Sequence, residues 1–345
     1  MRRALARPAI VVALVLIGSA CSSAAGSSSG GRIDLRLGYF PNLTHATSIV
    51  GDDKGIFTKD LGPKVRLKPT VFTAGPDEVT ALFSNALDAA YMGPNPAINA
   101  YVKSNGEAIR IISGATSGGA FLVVKPSINS AADLKGKTIA APQLGNTQDV
   151  ALRSWLKSKG LNTTTAGGGD VKILDQDNAQ SLDTFKQGQI DGAWVPEPWA
   201  SRLVVEGQGK VLVDERDLWP GGKYVTTLLV ARTAFLQQHP DVVKNLLKGQ
   251  IEATDFVNQH TAQAKQVVAD GIKALTGKTL APAVLDRAWP NLTFTVDPIA
   301  SSLKESATRA GALGFIKSVD LTGIYDLSLL NQLLEAAGKQ AVRTA

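Results

Sequence analysis

The chain has one cysteine and three histidines in 345 residues. A single thiol excludes an intramolecular disulfide framework. The scarcity of both residue types argues against a zinc site built on Cys and His clusters and against a Cys–His nucleophilic pair. No H-E-x-x-H motif and no G-x-x-x-x-G-K-[ST] phosphate loop occurs. Aromatics are few, at 6%, and neither charge sign dominates, with 36 Lys+Arg against 30 Asp+Glu. No Lys/Arg run reads as a nucleic-acid patch. With 44% hydrophobic and 19% charged residues, the composition excludes full disorder, a coiled coil and a multi-span membrane protein. What is present is length: 345 residues suit two lobes better than one core.

The N-terminus reads as an address. Arg2, Arg3 and Arg7 precede an apolar stretch from Ile10 to Ile17, followed by Gly18-Ser19-Ala20. Eight apolar residues are too few to span roughly 30 Å of hydrocarbon, so residues 1–20 are expected to be a signal peptide. Cys21, the sole cysteine, follows the small residues directly, and the segment resembles a bacterial lipobox, in which that cysteine is lipidated. Gly18 stands where that pattern favours Leu or Val. Residues 22–31 are Ser, Ala and Gly and read as a flexible tether within the segment 21–32. Removing three arginines lowers the net charge from +6 to about +3, which weakens any case for a polyanionic partner.

Downstream, strand and helix patterns alternate. Strands are expected at 33–40, 65–72, 88–92, 109–113 and 121–124, with helices at 45–57, 77–84 and up to 103. The pattern restarts with strands at 137–141, 171–174, 192–195, 210–214 and 226–231, and helices at 147–159 and 179–187. Asn146 as N-cap, Asp149 in the first turn and Gly160 after the last turn delimit the first of these helices. Helices at 240–259, 262–274, 283–288, 298–313 and 327–337 complete the chain. Such alternation predicts mostly parallel sheets flanked by helices.

The sequence also repeats itself. LFSNALDAAYMGPNP, from Leu82, aligns with FKQGQIDGAWVPEPW, from Phe185, at an offset of 103. Leu87 matches Ile190, Asp88 matches Asp191, and Tyr91 matches Trp194. The repeat suggests two similar lobes, each offering strand ends to a shared cleft, although helix-to-strand units of α/β proteins also resemble one another generally.

Seven segments in order carry a family resemblance: LRLGYFPNLTHA, GDDKGIFTKDLG, VTALFSNALDAAYMGPNPAINAY, SGGA, LKGKTIAAPQLGNTQDVALRSWL, QGQIDGAWVPEPWASRL and VARTAFLQQHPDVVKNLL. The chain resembles the two-lobed solute-binding proteins of bacterial ABC importers, in the branch that includes aliphatic sulfonate, taurine, nitrate and thiamine-precursor binders. The resemblance implies an α/β, type II-like periplasmic binding protein fold. Lobe one would comprise 33–120 plus 226–345 and lobe two 121–225. The hinge would be two strands near 121–125 and 224–231. It further implies a monomeric receptor without cofactor or metal, extracytoplasmic and tied to the membrane through its lipid anchor only. The small-molecule ligand would pass to a permease and its ATPase. Asn85 stands where the family has Gly before the hydrophobic-Asp pair, while Gly188 supplies it in the second copy.

Helix N-termini carry unpaired N–H groups and suit anions. Three lie at the expected cleft edge: Asn42 with Thr44 and His45, the turn containing Asn95, and Asn146 with Thr147. Ser117-Gly118-Gly119 adds a turn whose backbone could approach a ligand closely. Trp194 and Trp199, around Pro196-Glu197-Pro198, could wall an apolar portion. Glu197 could meet a cationic group, point outward or pair with Arg202. Each has a plainer reading: Asn42, Thr44 and Asn146 as caps, the Gly pair as a turn, the Trp residues as core, His45 as a surface or capping residue. The expectation is a binding protein for a small organic anion or zwitterion. Nitrate or a thiamine-precursor heterocycle is the alternative, and a sensor or an enzyme on the same fold is the remaining reading.

Overall fold

The computed structural model describes residues 31–344, so the signal segment and Cys21 lie outside the described residues. The strands are β1 (Ile33–Tyr39), β2 (Val65–Val71), β3 (Ala89–Met92), β4 (Ile109–Gly118), β5 (Ala120–Val124), β6 (Thr138–Ala141), β7 (Lys172–Asp175), β8 (Gly192–Pro196), β9 (Lys210–Asp214), β10 (Val225–Arg232) and β11 (Leu292–Phe294). The helices are α1 (Ala46–Asp53), α2 (Ile56–Leu61), α3 (Gly75–Phe83), α4 (Pro94–Lys103), α5 (Thr147–Ser158), α6 (Asn178–Lys186), α7 (Trp199–Val205), α8 (Thr233–Gln238), α9 (Pro240–Gln259), α10 (Thr261–Thr276), α11 (Pro282–Ala288), α12 (Ala300–Ala312) and α13 (Ser328–Ala336).

The strands form two sheets, of order β11-β4-β10-β3-β1-β2 and β7-β6-β8-β5-β9. We call the parts built on them lobe one and lobe two. The sheets are mixed, which corrects the expectation of mostly parallel ones. β1, β2 and β3 run parallel, as do β6, β7 and β8, because helices return the chain to the same sheet end. β10 is antiparallel to β3 and β4, and β5 to β8 and β9. Each of these two strands is the first after a passage between lobes. It therefore enters its sheet at the edge where its neighbours end, a reversal that local alternation does not reveal.

The internal repeat is a repeat of topology. β2-β1-β3-β10-β4 and β7-β6-β8-β5-β9 have the same order of parallel and antiparallel neighbours. Asp88 Oδ2 accepts the Arg36 N–H of β1 at 3.0 Å, and Asp191 Oδ2 accepts the Thr138 N–H of β6 at 3.0 Å. Each carboxylate also meets a base at the end of the reversed strand, Arg232 as the last residue of β10 or Lys125 just past β5. Both stay ionised well into acid: hydrogen bonds to the arginines or to Thr138 and Lys125 outweigh desolvation. Asn85 occupies the left-handed region at φ 58°, as Gly188 does at φ 75°; Asn is one of the few other residues that tolerates it.

Each sheet buries both faces, so the core falls into four clusters. In β3, Ala89 and Tyr91 face α1 and α9, while Ala90 and Met92 face α4 and α12. In lobe two, Trp194 joins Leu122, Leu152 and Trp155, while Ala193 and Val195 join Phe185 and Leu203. A fully buried side chain of this size contributes roughly 1.5–3 kcal/mol, so these strands read as continuous apolar runs.

Local departures have local causes. The helix expected over 45–57 breaks at Gly55, in the left-handed region at φ 67°. Helix α12 begins two residues later than expected, behind Ile299 at φ 49°. α7 and the short β11 went unread in the sequence. The passage from lobe one to lobe two is the single residue Gly119 between β4 and β5. The return is not a strand but two 3-10 turns over Glu215–Leu218 and Pro220–Gly222, where Gly221 and Gly222 have positive φ. Stacking of Trp219 on Tyr224, ring centroids 5.3 Å apart, holds that segment together.

Candidate functional site

Strands β1–β3 and β6–β8 all end at the edge between the sheets, the place where open α/β sheets bind ligands. A cavity of ≈ 20 Å³ lies there. Lobe one supplies Phe40, Asn42, Thr44, His45, Thr73, Gly93 and Thr226; lobe two supplies Pro142, Asn146, Thr147, Gln148, Asn178 and Pro196. Nearly all stand just past a strand end or at the next helix start. Four helical segments open onto it: the 3-10 turn Leu43–His45 that leads into α1, then α4, α5 and α6. Each N-terminus carries about half a positive charge in unpaired N–H groups.

Among the lining residues no side chain carries a charge. His45 is fully enclosed, and desolvation pushes its pKa down to about 3, so the ring is neutral. Its Nδ1 accepts the Phe40 N–H at 3.2 Å, which leaves the proton on Nε2 as a donor. Asn146 caps α5 by accepting the Thr147 N–H at 2.9 Å. Asp149, in the first turn, accepts the Gly145 N–H at 2.8 Å and Arg153 Nε at 2.6 Å, which turns its charge back into lobe two. The Thr147 hydroxyl and the Asn178 carboxamide oxygen are buried with no protein partner. The wall is therefore polar, neutral in its side chains and positive in its backbone.

The two lobes are shut against each other at this cavity. Trp199 Nε1 donates to Asn42 Oδ1 at 2.8 Å, so Asn42 does not cap its helix. Asn291 Nδ2 donates to Glu197 Oε1 at 3.0 Å, and Gln143 Nε2 to Asp77 Oδ2 at 2.9 Å. The N-cap of α4, Gly93, abuts the Thr147 side chain at the start of α5, so the positive ends of two helices are in contact.

Of the residues singled out in the sequence, Asn42, Thr44, His45, Asn146 and Thr147 line this cavity. Asn95 borders a smaller neighbouring space, with its Nδ2 toward the Ser306 carbonyl. Ser117 and Gly118 end β4, and Gly119 is the passage between lobes. Gly118 and Gly119 have φ of 80° and 78°, and a Cβ on either would strike Asn291 or Leu292. Trp194 is corrected from cavity wall to core. It lies two residues inside β8, as Tyr91 lies inside β3, and donates Nε1 to Glu215 Oε2 at 2.8 Å. Glu197 is corrected from ligand contact to clasp: Ser201 N–H, Ser201 Oγ and Asn291 occupy its carboxylate, and Arg202 pairs with Glu206 instead. Burial raises its pKa, partly offset by these donors. Trp199 acts through Asn42, with Arg202 stacked on its outer side.

Phe40, Thr73, Gly93, Pro142, Gln148, Asn178, Pro196 and Thr226 went unread. The repeat carried a signal for two of them, since Gly93 and Pro196 are matched at the offset of 103, Gly93 just past β3 and Pro196 as the last residue of β8. Asn178 opens α6 as Thr147 opens α5.

The NMT1-like family model matches residues 30–272, more than two thirds of the sequence. The chain belongs to the NMT1-like family. This NMT1-like chain is 30% identical to the taurine-binding periplasmic protein of Escherichia coli (strain K12) over 197 residues, 57% of this chain and 58% of the relative. Its fold matches that of the alkanesulfonate-binding protein SsuA from Xanthomonas axonopodis pv. citri bound to MOPS, with TM-score 0.70 and 19% identity over 84% of this chain and 96% of the other. The periplasmic nitrate-binding protein NrtA from Synechocystis PCC 6803 matches with TM-score 0.75 and 17% identity over 88% and 89%. The two-lobed periplasmic binding protein fold is thereby shared.

Proposed function

We propose that this chain is the extracytoplasmic solute-binding component of an ABC importer. It captures a small organic anion or zwitterion of the sulfonate class between its lobes and presents the closed form to a permease and its ATPase. The observation that carries this reading is the contact of the α4 and α5 N-termini at Gly93 and Thr147. Two like partial charges oppose closure when the cavity they line holds only water. An anion in that cavity reverses the sign, at roughly 0.3–2 kcal/mol per helix end. Ligand binding and closure then become one event. Asn42, Thr44, His45 Nε2, Asn146, Thr147 and Gln148 would orient the anionic oxygens, and Phe40, Pro142 and Pro196 would flank a short apolar portion. Taurine, alkanesulfonate and nitrate binding among relatives and fold neighbours supports the same class. Nothing in this arrangement calls for turnover, so the reading is of a binding protein. In this reading the lobes would be 33–120 plus 226–345 and 121–225, and a lipidated Cys21 would hold a monomer at the cell membrane.

Isothermal titration of the mature protein against alkanesulfonates, taurine and nitrate tests the reading, with scattering to follow compaction. A dissociation constant in the micromolar range or below for one of them, with a smaller radius of gyration, is expected. Absence of binding to all would overturn the ligand class. Labelled-palmitate incorporation lost in Cys21→Ser tests the anchor.

A further inference from the structure

The strands of lobe one that end at the cleft begin at the opposite end of the sheet, and that end is basic. Arg32 precedes β1 and Lys64 precedes β2, joined by the bond from the Ile33 N–H to the Lys64 carbonyl. Arg36, Arg66 and Lys68 lie along the paired β1 and β2, and Arg232 is the last residue of the antiparallel β10. Arg66 and Lys68 share one carboxylate, Asp34, at 2.6 and 2.5 Å. Arg36 and Arg232 share Asp88, at 2.5 and 3.0 Å. Arg32 and Lys64 are exposed and, among the described residues, pair with no acid. Six cations meet two carboxylates here, a surplus of four, which exceeds the net charge of about +3 left to the mature chain. α3 also runs from the cleft, where Gly75 approaches Asn146, to this end, where Phe83 is 45% exposed. Phe83 lines a hollow together with Arg232. Guarding the edge strand β2 against pairing with another chain accounts for Lys68 and Pro69. It does not account for Arg32, Lys64 and Arg232, nor for an exposed phenylalanine among them.

The same end carries the root of the N-terminal segment. Cys21 stands eleven residues before Arg32, a span of at most about 40 Å at full extension. Resting on the reading of Cys21 as a lipid anchor, we infer that this basic end of lobe one docks on the anionic phospholipid headgroups of the membrane that holds the chain. Tethering makes the contact intramolecular, so a patch too weak to hold a free protein is still occupied. Each Lys or Arg gains from the negative surface potential, and an exposed phenylalanine suits the boundary between headgroups and acyl chains. The cleft lies at the other end of the same strands, so the docked receptor turns it away from the bilayer, toward arriving ligand.

The test sediments the mature chain carrying Cys21→Ser, so that no acyl group contributes, with lipid vesicles. Vesicles of phosphatidylcholine with about 40% phosphatidylglycerol should bind it at least tenfold more strongly than pure phosphatidylcholine at about 0.05 M salt, and about 0.5 M salt should remove the difference. Arg32→Gln, Lys64→Gln and Lys68→Gln together should lower binding to the anionic vesicles at least tenfold. Lys159→Gln, Lys172→Gln and Lys186→Gln together, which remove three exposed cations of lobe two, should leave it unchanged. Equal binding to both kinds of vesicle overturns the inference, as do equal losses in the two triple variants. So does a chain that ignores vesicles yet binds poly-glutamate through Arg32, Lys64 and Lys68, which assigns the surface to an acidic protein. Palmitate incorporation at Cys21 is read separately, so failure of the anchor and failure of the docking surface are told apart.

Discussion

Gly93→Ala isolates closure from folding. Gly93 has φ −69° and ψ 160°, an extended conformation open to any L-residue, so alanine there strains neither the backbone nor lobe one. A Cβ at 93 would fall within hard contact of Thr147 Oγ1 and 3.3 Å from Thr147 Cβ, both in the opposite lobe. The threonine is β-branched at the first position of α5, so its side chain has little room to turn aside. Overpacking of one methyl into a closed interface costs about 1–3 kcal/mol. The open form feels none of it, so the penalty appears in binding as roughly 5- to 150-fold weaker affinity. Isothermal titration reads the affinity, scattering reads compaction, and melting without ligand reads folding. The expected pattern is weakened binding, incomplete compaction and a ligand-free melting temperature close to that of the parent. Adding Thr147→Ala should relieve part of the clash, so the double variant compacts more fully than Gly93→Ala alone. A Gly93→Ala protein that binds and compacts like the parent would refute the coupling of closure to the contact between α4 and α5.

The clasps predict a different signature: Trp199→Phe removes the bond to Asn42 and Asn291→Ala the bond to Glu197. Each should weaken binding by about 0.5–1.5 kcal/mol, mainly through faster release in stopped-flow measurements. Glu78 is fully enclosed with neither carboxylate oxygen bonded, and burial raises its pKa well above the usual range. A folded-state pKa raised in this way adds stability below the unfolded value near 4.5, and that stability is lost as pH rises. Glu78→Gln should therefore raise the melting temperature at pH 8 more than at pH 5; a variant less stable at both would show that the carboxyl makes a bond of its own. Asn85→Ala forces an ordinary side chain into the left-handed region and should cost about 1 kcal/mol in urea unfolding, whereas Asn85→Gly should be neutral or stabilising.

Much of the fold was legible because its signals are local. Apolar runs such as TTLLVA in β10 and the cap at Asn146 need only neighbours in sequence to be read. The repeat was legible too, and its aspartates play the same part in both lobes. Strand direction was not, because whether β5 and β10 run with or against their neighbours depends on where the chain crosses between lobes.

The sequence by itself determined the alternation of strands and helices, the two copies and the family, because periodicity and capping are properties of short segments. Only the tertiary structure decided which polar residues face the cleft and which are consumed elsewhere. Trp194 and Pro196 are two positions apart on one strand, yet one is core and the other borders the cavity, since contact with a ligand is made past the strand end and not within it. Glu197 and Glu215 are both buried acids near that edge. Ser201 and Asn291 bond the first into the closure, while the second accepts the Trp194 indole N–H beside the Arg309 guanidinium. That difference arises from partners about ninety residues away in the chain, where no local pattern reaches.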